Sequence, residues 1–315
     1  MGFFFYLNFV YAHILWRIGA TRDILVVTVA AIFVKPNIKK GQPITVVKSN
    51  GEREPFNVLK IENSLLNAGA SPSSVQKIIS VVQSELVDGM TTAEIYRHAF
   101  FLLHKMEKPS AVRYSMRRAL SDLGPSGFPF EKFVAEIFKA QGYTIETDKM
   151  IKGYCAEHEL DVIAYNDKKL IMTEVKFHNQ NGIKTDLKVA LYVKARFDDL
   201  RKMHFHYGGR DMLLSEGLLI TNTKFTKSAI SYAMCAGVGM IGWNYPSRGN
   251  LHDLIVQYKM HPITSLTTLS MSEKKYLIER GFVLCSTVMD KLDILDKSGF
   301  SQKRINAIIE EIRTL

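Results

Sequence analysis

Residues 159–176 read ELDVIAYNDKKLIMTEVK: two apolar runs separated by the polar tetrad Asn166-Asp167-Lys168-Lys169. That pattern predicts a β-hairpin. The first run carries Asp161 among Leu160, Val162, Ile163 and Ala164; the second carries Glu174 and Lys176 among Leu170, Ile171, Met172 and Val175. Side chains alternate across a strand, so Glu174 and Lys176 share a face, and hairpin pairing brings Asp161 beside them. Adjacent carboxylates repel unless a proton or a cation lies between them. Magnesium suits that place, since it takes oxygen ligands and keeps several waters. A lysine beside it can orient a metal-bound water or help remove its proton. Glu159, two residues before Asp161, is expected on the same strand face, either as a further metal-site carboxylate or as a hydrogen-bonded surface acid.

Outward from the hairpin the pattern stays α/β. FEKFVAEIFKAQGY (130–143) predicts an amphipathic helix ending at Gly142-Tyr143, with a short strand at 143–146. Beyond Lys176 a polar loop, HNQNGIKTD, leads into a long helix, LKVALYVKARFDDLRKM (187–203). Its Lys188, Lys194, Arg196, Arg201 and Lys202 either follow a phosphate backbone or form an ordinary solvated face. Buried strands are expected at 218–221 and 240–243, with a helix at 224–235 between them.

With Asp161 and the triplet Glu174-Val175-Lys176 at the motif positions, the hairpin resembles the PD-(D/E)XK nuclease superfamily. The helix that starts with Phe130-Glu131 and ends with Gly142-Tyr143 is similar to the first helix of Mrr-like restriction endonucleases. Leu160 stands where the superfamily often has proline. The resemblance implies that Asp161 and Glu174 hold Mg2+ or Mn2+ and that Lys176 steadies the attacking water. It gives Glu131 an accessory place at the metal; Glu159 is an accessory candidate by its strand position alone.

Residues 44–69, ITVVKSNGEREPFNVLKIENSLLNAG, read as strand, Asn50-Gly51 turn, strand and helix, with Asn57 as N-cap. Further helices are expected at 73–87, 91–106 and 111–120, the second capped by Thr91 or Thr92. Lys48 near the turn and Lys60 at a helix start make sense if an anion docks between them. The signature Val46-x-Lys48-x-Asn50-Gly51, Phe56-x-x-x-Lys60-Ile61 and Asp88-Gly89-x-x-Thr92 resembles the ATP-cone, a small regulatory nucleotide-binding domain. The resemblance implies that Val46, Lys48, Ser49, Glu54, Asn57, Lys60, Ile61 and Thr92 surround ATP or dATP. Ser49 stands where that family often has Arg or Lys. No GxxxxGK[ST] is present, so a P-loop motor is excluded.

A net charge of +10 (41 Lys+Arg against 31 Asp+Glu) favours a polyanionic partner such as DNA. Three scattered cysteines exclude a disulfide framework and fit a cytoplasmic setting. Residues 1–42 are apolar but broken by Asn8, His13 and Arg17. They read as a poorly packed extension, a short membrane anchor or, the preferred reading, an upstream start; no membrane partner is expected. The breaker cluster Gly124-Pro125-Ser126-Gly127 marks a boundary. Beyond Pro262, short helices punctuated by Gly281 and Gly299 are similar to a helix-hairpin-helix module, with Ser272, Ser286 and Ser301 as caps.

The expected fold is thus α/β (α+β), with four segments: the extension (1–42), an ATP-cone (43–124), an Mrr-like mixed sheet flanked by helices (125–258) and a helical module (259–315). The expected function is a metal-dependent DNA endonuclease of restriction or defence type. Adenine nucleotide regulates it, through a change of homo-oligomeric state. The alternative is a nucleotide-sensing DNA-binding regulator with an inactive nuclease fold.

Overall fold

The computed structural model describes residues 44–48, 51–180, 182–297 and 299–315. The expectations for 1–42 and for Ser49 fall outside these. Among the described residues no helix is long and apolar enough to cross a membrane.

The chain opens with an antiparallel ribbon, β1 (Thr45–Val47) and β2 (Arg53–Pro55), turning through Gly51 at φ 83°. Asn57 caps α1 (Val58–Asn67), its side chain accepting from the Leu59 N–H. Ser71 caps α2 (Pro72–Glu85). Thr91 and Glu94 form a reciprocal capping box on α3 (Thr92–Met106). The last helix of this part is α4 (Lys108–Ser121). Its Arg113 donates to the Ala68 carbonyl at 2.7 Å and so ties α4 to the end of α1. Leu65, Ile78, Ala99 and Leu103 meet in one apolar core.

A five-stranded mixed sheet follows, in order β11-β9-β5-β4-β3. The hairpin β4 (Glu157–Tyr165) and β5 (Leu170–Lys176) lies at its centre. On one side β4 pairs antiparallel with β3 (Thr144–Lys152), a nine-residue strand longer than the one expected at 143–146. On the other, β9 (Glu216–Thr221) and β11 (Gly239–Ile241) run parallel to β5. Helix α5 (Phe128–Ala140) covers one face. Its fully buried Phe130 and Phe133 pack on Val162, Ala164, Ile171 and Val175; burying such a ring stabilises by about 1.5–3 kcal/mol. The opposite face is covered by α6 (Leu187–Leu200) and α7 (Lys227–Ala236), with Val193, Phe197 and Ala229 against Leu170, Met172 and Leu219.

Two small ribbons complete this region. β6 (Lys184–Thr185) pairs parallel with β10 (Lys224–Phe225). β7 (His204–Tyr207) and β8 (Arg210–Leu213) form a hairpin through Gly208 and Gly209, both at positive φ. Helix α8 (Leu251–Gln257) joins the α5 core through Leu251 and Ile255.

The C-terminal helices α9 (Met271–Glu279), α10 (Cys285–Asp290), α11 (Asp293–Lys297) and α12 (Gln302–Arg313) close over a separate core around Leu277, Val288, Leu295 and Ile308. Ser270, not Ser272, caps α9, because Glu273 completes a capping box with it. Leu284 takes the cap position expected of Ser286, and Ser301 stands at the head of α12 without a side-chain bond.

Candidate active site and nucleotide groove

The β4–β5 ladder ends at Val162↔Thr173. Beyond it the strands part, and Asp161 fills the opening: its Oδ2 accepts from the Val175 N–H at 2.6 Å. A side chain thus replaces the next ladder partner, holding the carboxylate at the fork where β5 leaves β4. Along β5 alternation is kept. Ile171 and Val175 face α5, Leu170 and Met172 face α6, and Glu174 follows Met172 toward α6.

Asp161 owes its placement to a fault in the neighbouring pair. β3 and β4 pair from Thr144↔Tyr165 to Lys152↔Glu157, except at the step between Thr147↔Val162 and Lys149↔Leu160. The residues at that step are Asp148, with φ 53°, and Asp161. The hairpin exchanges faces there. Val162 and Ala164 pack beneath α5, yet Leu160, two residues from Val162, packs in the α6 core. Asp tolerates left-handed backbone better than most residues, through local hydrogen bonding of its short side chain.

Five acids gather at this end of the sheet: Glu131 in the first turn of α5, Asp148, Glu159, Asp161 and Glu174. Burial first, then the charges of Asp161 and Asp148, push the Glu131 carboxyl up to about 7. Burial and Asp161 push Glu174 up to about 7 as well, against the pull of Arg196 and Lys176. Asp161 is raised chiefly by burial, opposed by the Val175 N–H. These shifts share one physical cause, negative charge crowded where water is scarce. Lys176, on the last residue of β5, is exposed and lies across the parallel ladder from Thr221.

Arg196 departs from its expected place on a solvated, phosphate-following face. It is buried, with 9% of its side chain exposed. It donates to Glu174 and to the Tyr192 hydroxyl, and its Nη1 reaches the Glu159 carbonyl at 2.7 Å. Its position on α6 turns it under β5, so the sheet and not the solvent receives its charge. Lys194 and Arg201 are likewise engaged, both with Asp198.

Behind the site, Asp199 pins the turn between β3 and β4. It accepts from the Cys155 and Ala156 N–H groups at 2.7 and 3.2 Å, and it pairs with His158 Nε2 at 2.7 Å. The donor set fits a hard divalent cation, being carboxylate oxygens whose mutual repulsion a cation would relieve. Among the described residues, however, no three His, Cys, Asp or Glu side chains already stand in a closed cage. An open site with two carboxylates and several waters is the usual arrangement for Mg2+.

The second candidate site lies on the N-terminal part. Val46, Glu54, Asn57, Lys60, Ile61 and Thr92 line one groove of about 170 Å³. Asp88 builds it from below: it accepts from the Thr45 N–H and hydroxyl at 2.8 and 2.7 Å, fastening the 88–92 turn to β1. Glu54 stands between Lys60 (2.7 Å) and Lys48 (3.1 Å), and these cations, Lys60 foremost, hold its carboxyl below the ordinary range. Lys48 instead lines an adjoining cleft of about 450 Å³ with Thr92, Arg117, Lys184 and Lys224. Tyr96 and Tyr114, stacked at 5.1 Å, wall both cavities. Sequence reading missed Tyr96, Arg117, Lys184 and Lys224. Nothing local marks them, because they meet only through tertiary packing.

Comparison with known proteins accords with this architecture. A family model described as the ATP cone domain matches residues 44–112. One described as a restriction endonuclease (Mrr catalytic) matches 124–242, and one described as AF1548-like, C-terminal, matches 261–315. An uncharacterized protein of Archaeoglobus fulgidus is 32% identical over 181 residues, which is 57% of this chain and 98% of the relative. The crystal structure of the protein of unknown function AF1548 is 31% identical, covering 60% of this chain and 97% of that one, with a TM-score of 0.48. Can2 from Sulfobacillus thermosulfidooxidans, solved with cyclic tetra-adenylate, is 14% identical over 69% of each chain, with a TM-score of 0.30.

Proposed function

The chain belongs to the AF1548-like family and carries an ATP-cone domain ahead of an Mrr-type restriction-endonuclease domain; on that premise we propose that it is a metal-dependent DNA endonuclease whose activity responds to ATP or dATP. The observation that carries this reading is the fork at Asp161. A carboxylate held by a backbone N–H between parting strands stands beside Glu174, with Lys176 at the strand end.

Asp161 and Glu174 would hold Mg2+ or Mn2+, with Glu131 and Glu159 as outer carboxylates. A bound divalent ion supplies charge stabilisation at the scissile phosphate and acidifies a water. Lys176 orients that water and offsets the negative charge that develops at phosphorus. Arg196 neutralises Glu174 until the site is loaded, which keeps a buried carboxylate tolerable. The net charge of +10 supports DNA as the substrate. Val46, Lys48, Ser49, Glu54, Asn57, Lys60, Ile61 and Thr92 are proposed to surround the nucleotide, and a change of oligomeric state to transmit its presence. Two exposed cysteines and one buried, all free, are consistent with a cytoplasmic protein.

The test is cleavage of supercoiled and linear DNA with Mg2+ or Mn2+, with and without ATP. Cutting by the wild type that falls by about 10²–10⁴ in Lys176→Ala, with DNA binding retained, supports the enzyme. Binding by the wild type without any cutting supports the regulator with an inactive nuclease fold and overturns this reading.

A further inference from the structure

Lys184 and Lys224 are direct partners across the parallel β6–β10 ribbon. Like charges placed opposite each other on a ribbon are destabilising. The ribbon nevertheless turns both toward the cleft against the cone, where Arg117 of α4 joins them. None of the three makes an ion pair among the described residues; the carboxylates nearby serve others, Glu52, itself on the cleft wall, binding Lys48, Glu54 binding Lys60 and Lys48, and Asp122 binding Arg118. Burial, then the charges of Arg117, Lys184 and Lys60, lower the proton affinity of the Lys224 amine. Three cations without an ion pair among the described residues thus line one cleft, beside the groove that holds Asn57, Ile61 and Thr92.

Such a cluster asks for a polyanion. The groove of about 170 Å³ is small, while the adjoining cleft of about 450 Å³ opens from it past Thr92, Tyr96 and Tyr114. Small-molecule sites commonly enclose about 300–1,000 Å³, so the groove alone is too small for a whole nucleotide, and a nucleotide seated in it extends into the cleft. Resting on the reading of the cone as the nucleotide site, we propose that the nuclease domain completes that site: Lys184 and Lys224, with Arg117, bind the polyphosphate of the nucleotide whose base and sugar lie in the cone groove.

The consequence is mechanical. Thr185, next to Lys184, donates its hydroxyl to Thr221 at 3.1 Å and lies 3.0 Å from His178 Nε2. Asn222 grips the backbone of His178 at both its N–H and its carbonyl, at 2.9 and 2.8 Å. Thr221 is the ladder partner of Lys176. A phosphate clamped on the ribbon is thus two hydrogen-bonded steps from the strand end that carries Lys176. The nucleotide restrains the segment that must deliver this lysine.

Calorimetric titration of the full chain with ATP, adenosine and inorganic triphosphate tests the proposal. The comparison is between the wild type, Lys184→Gln/Lys224→Gln and Lys184→Arg/Lys224→Arg. Both lysines line the cleft and neither belongs to an apolar core, so neither pair of substitutions removes core. The expected result is ATP affinity at least about tenfold weaker in the glutamine pair, since each charged hydrogen bond is worth roughly tenfold or more. Adenosine affinity stays unchanged, triphosphate affinity falls, and the arginine pair restores ATP binding. Amide exchange at 183–186 and 222–226 should slow on ATP addition in the wild type and not in the glutamine pair. Equal ATP affinity in wild type and glutamine pair overturns the proposal and leaves the cone reading standing. No ATP binding by the wild type removes both. Lost DNA affinity with ATP affinity intact would make the cleft a DNA-backbone site and overturn the proposal.

Discussion

Asp148 stands opposite Asp161 at the one step where the β3–β4 ladder fails to pair, and Asp148 alone of the two carries a positive φ, 53°. The missing pair lets the hairpin exchange faces, so that Leu160 joins one core while Val162 joins the other. Left-handed backbone costs an L-residue about 1–2 kcal/mol, least for Asn, Asp and Gly. Asp148→Gly should therefore leave unfolding free energy unchanged or raise it slightly, and Asp148→Val should lower it by about 1–2 kcal/mol. Urea titration of the three proteins distinguishes these outcomes. Equal stability of the Gly and Val variants would show that the backbone at 148 is not left-handed in solution.

Arg196 is the partner that makes Glu174 tolerable inside the protein. Removing one member of a buried ion pair costs about 3–5 kcal/mol, because the other charge stays behind. Arg196→Ala should lose about that much at pH 8. The loss should shrink at pH 5.5, where Glu174, raised to about 7, is neutral. Arg196→Ala combined with Glu174→Gln should recover most of the loss at pH 8. Chemical denaturation at the two pH values measures all of these.

Proton binding at the acidic site gives the metal-free protein an alkaline weakness. Glu131 and Glu174, ordinarily near 4.5, rise to about 7 on folding. Between those values the native state holds protons that the unfolded chain has released, so stability falls as pH rises through that window. A thermal melt in chelator should show Tm declining from pH 5 toward pH 8, and Glu131→Gln should flatten part of the decline. Mg2+ competes with those protons, so its stabilisation should be larger at pH 8 than at pH 6. A Tm that climbs across this range in chelator would contradict the assignment.

Asp199 holds the 153–156 turn and, through a hydrogen bond, raises the pKa of the exposed Cys155 thiol. Its own carboxyl lies far below the usual range, chiefly because of His158. Its contribution is therefore present above 3.8, the ordinary value, and disappears only as pH falls through the depressed one. In a Cys235→Ser background, Asp199→Asn should speed alkylation of Cys155 at pH 7 by making thiolate easier to form. Gly153→Ala should act similarly, since its Cβ would lie 2.2 Å from Asp199 Oδ2. Unchanged alkylation rates in both variants would mean that the turn is not held by Asp199.

Much of the arrangement could be read from local pattern. The hairpin of residues 159–176, the helix opening at Phe130-Glu131, the cap at Asn57 and the α/β class all follow from periodicity and turn chemistry, which act over a few residues. The β7–β8 ribbon is not among the expected elements: Gly208-Gly209 is a hairpin turn signal, but the flanks are only four residues each and RDML does not alternate.

Local pattern assigns the charged residues to strand ends and helix starts, and with them the two kinds of domain. What those charges face depends on how the elements pack. Arg196 looks like any solvent-side residue of a basic helix until α6 is laid under β5. Lys184 and Lys224 become neighbours through a parallel ribbon that joins segments 40 residues apart. Asp148 enters the acidic site because one of the nine steps from Thr144↔Tyr165 to Lys152↔Glu157 is left unpaired. Electrostatic energy depends on distance and on the water excluded between groups, and neither quantity exists until the chain has folded.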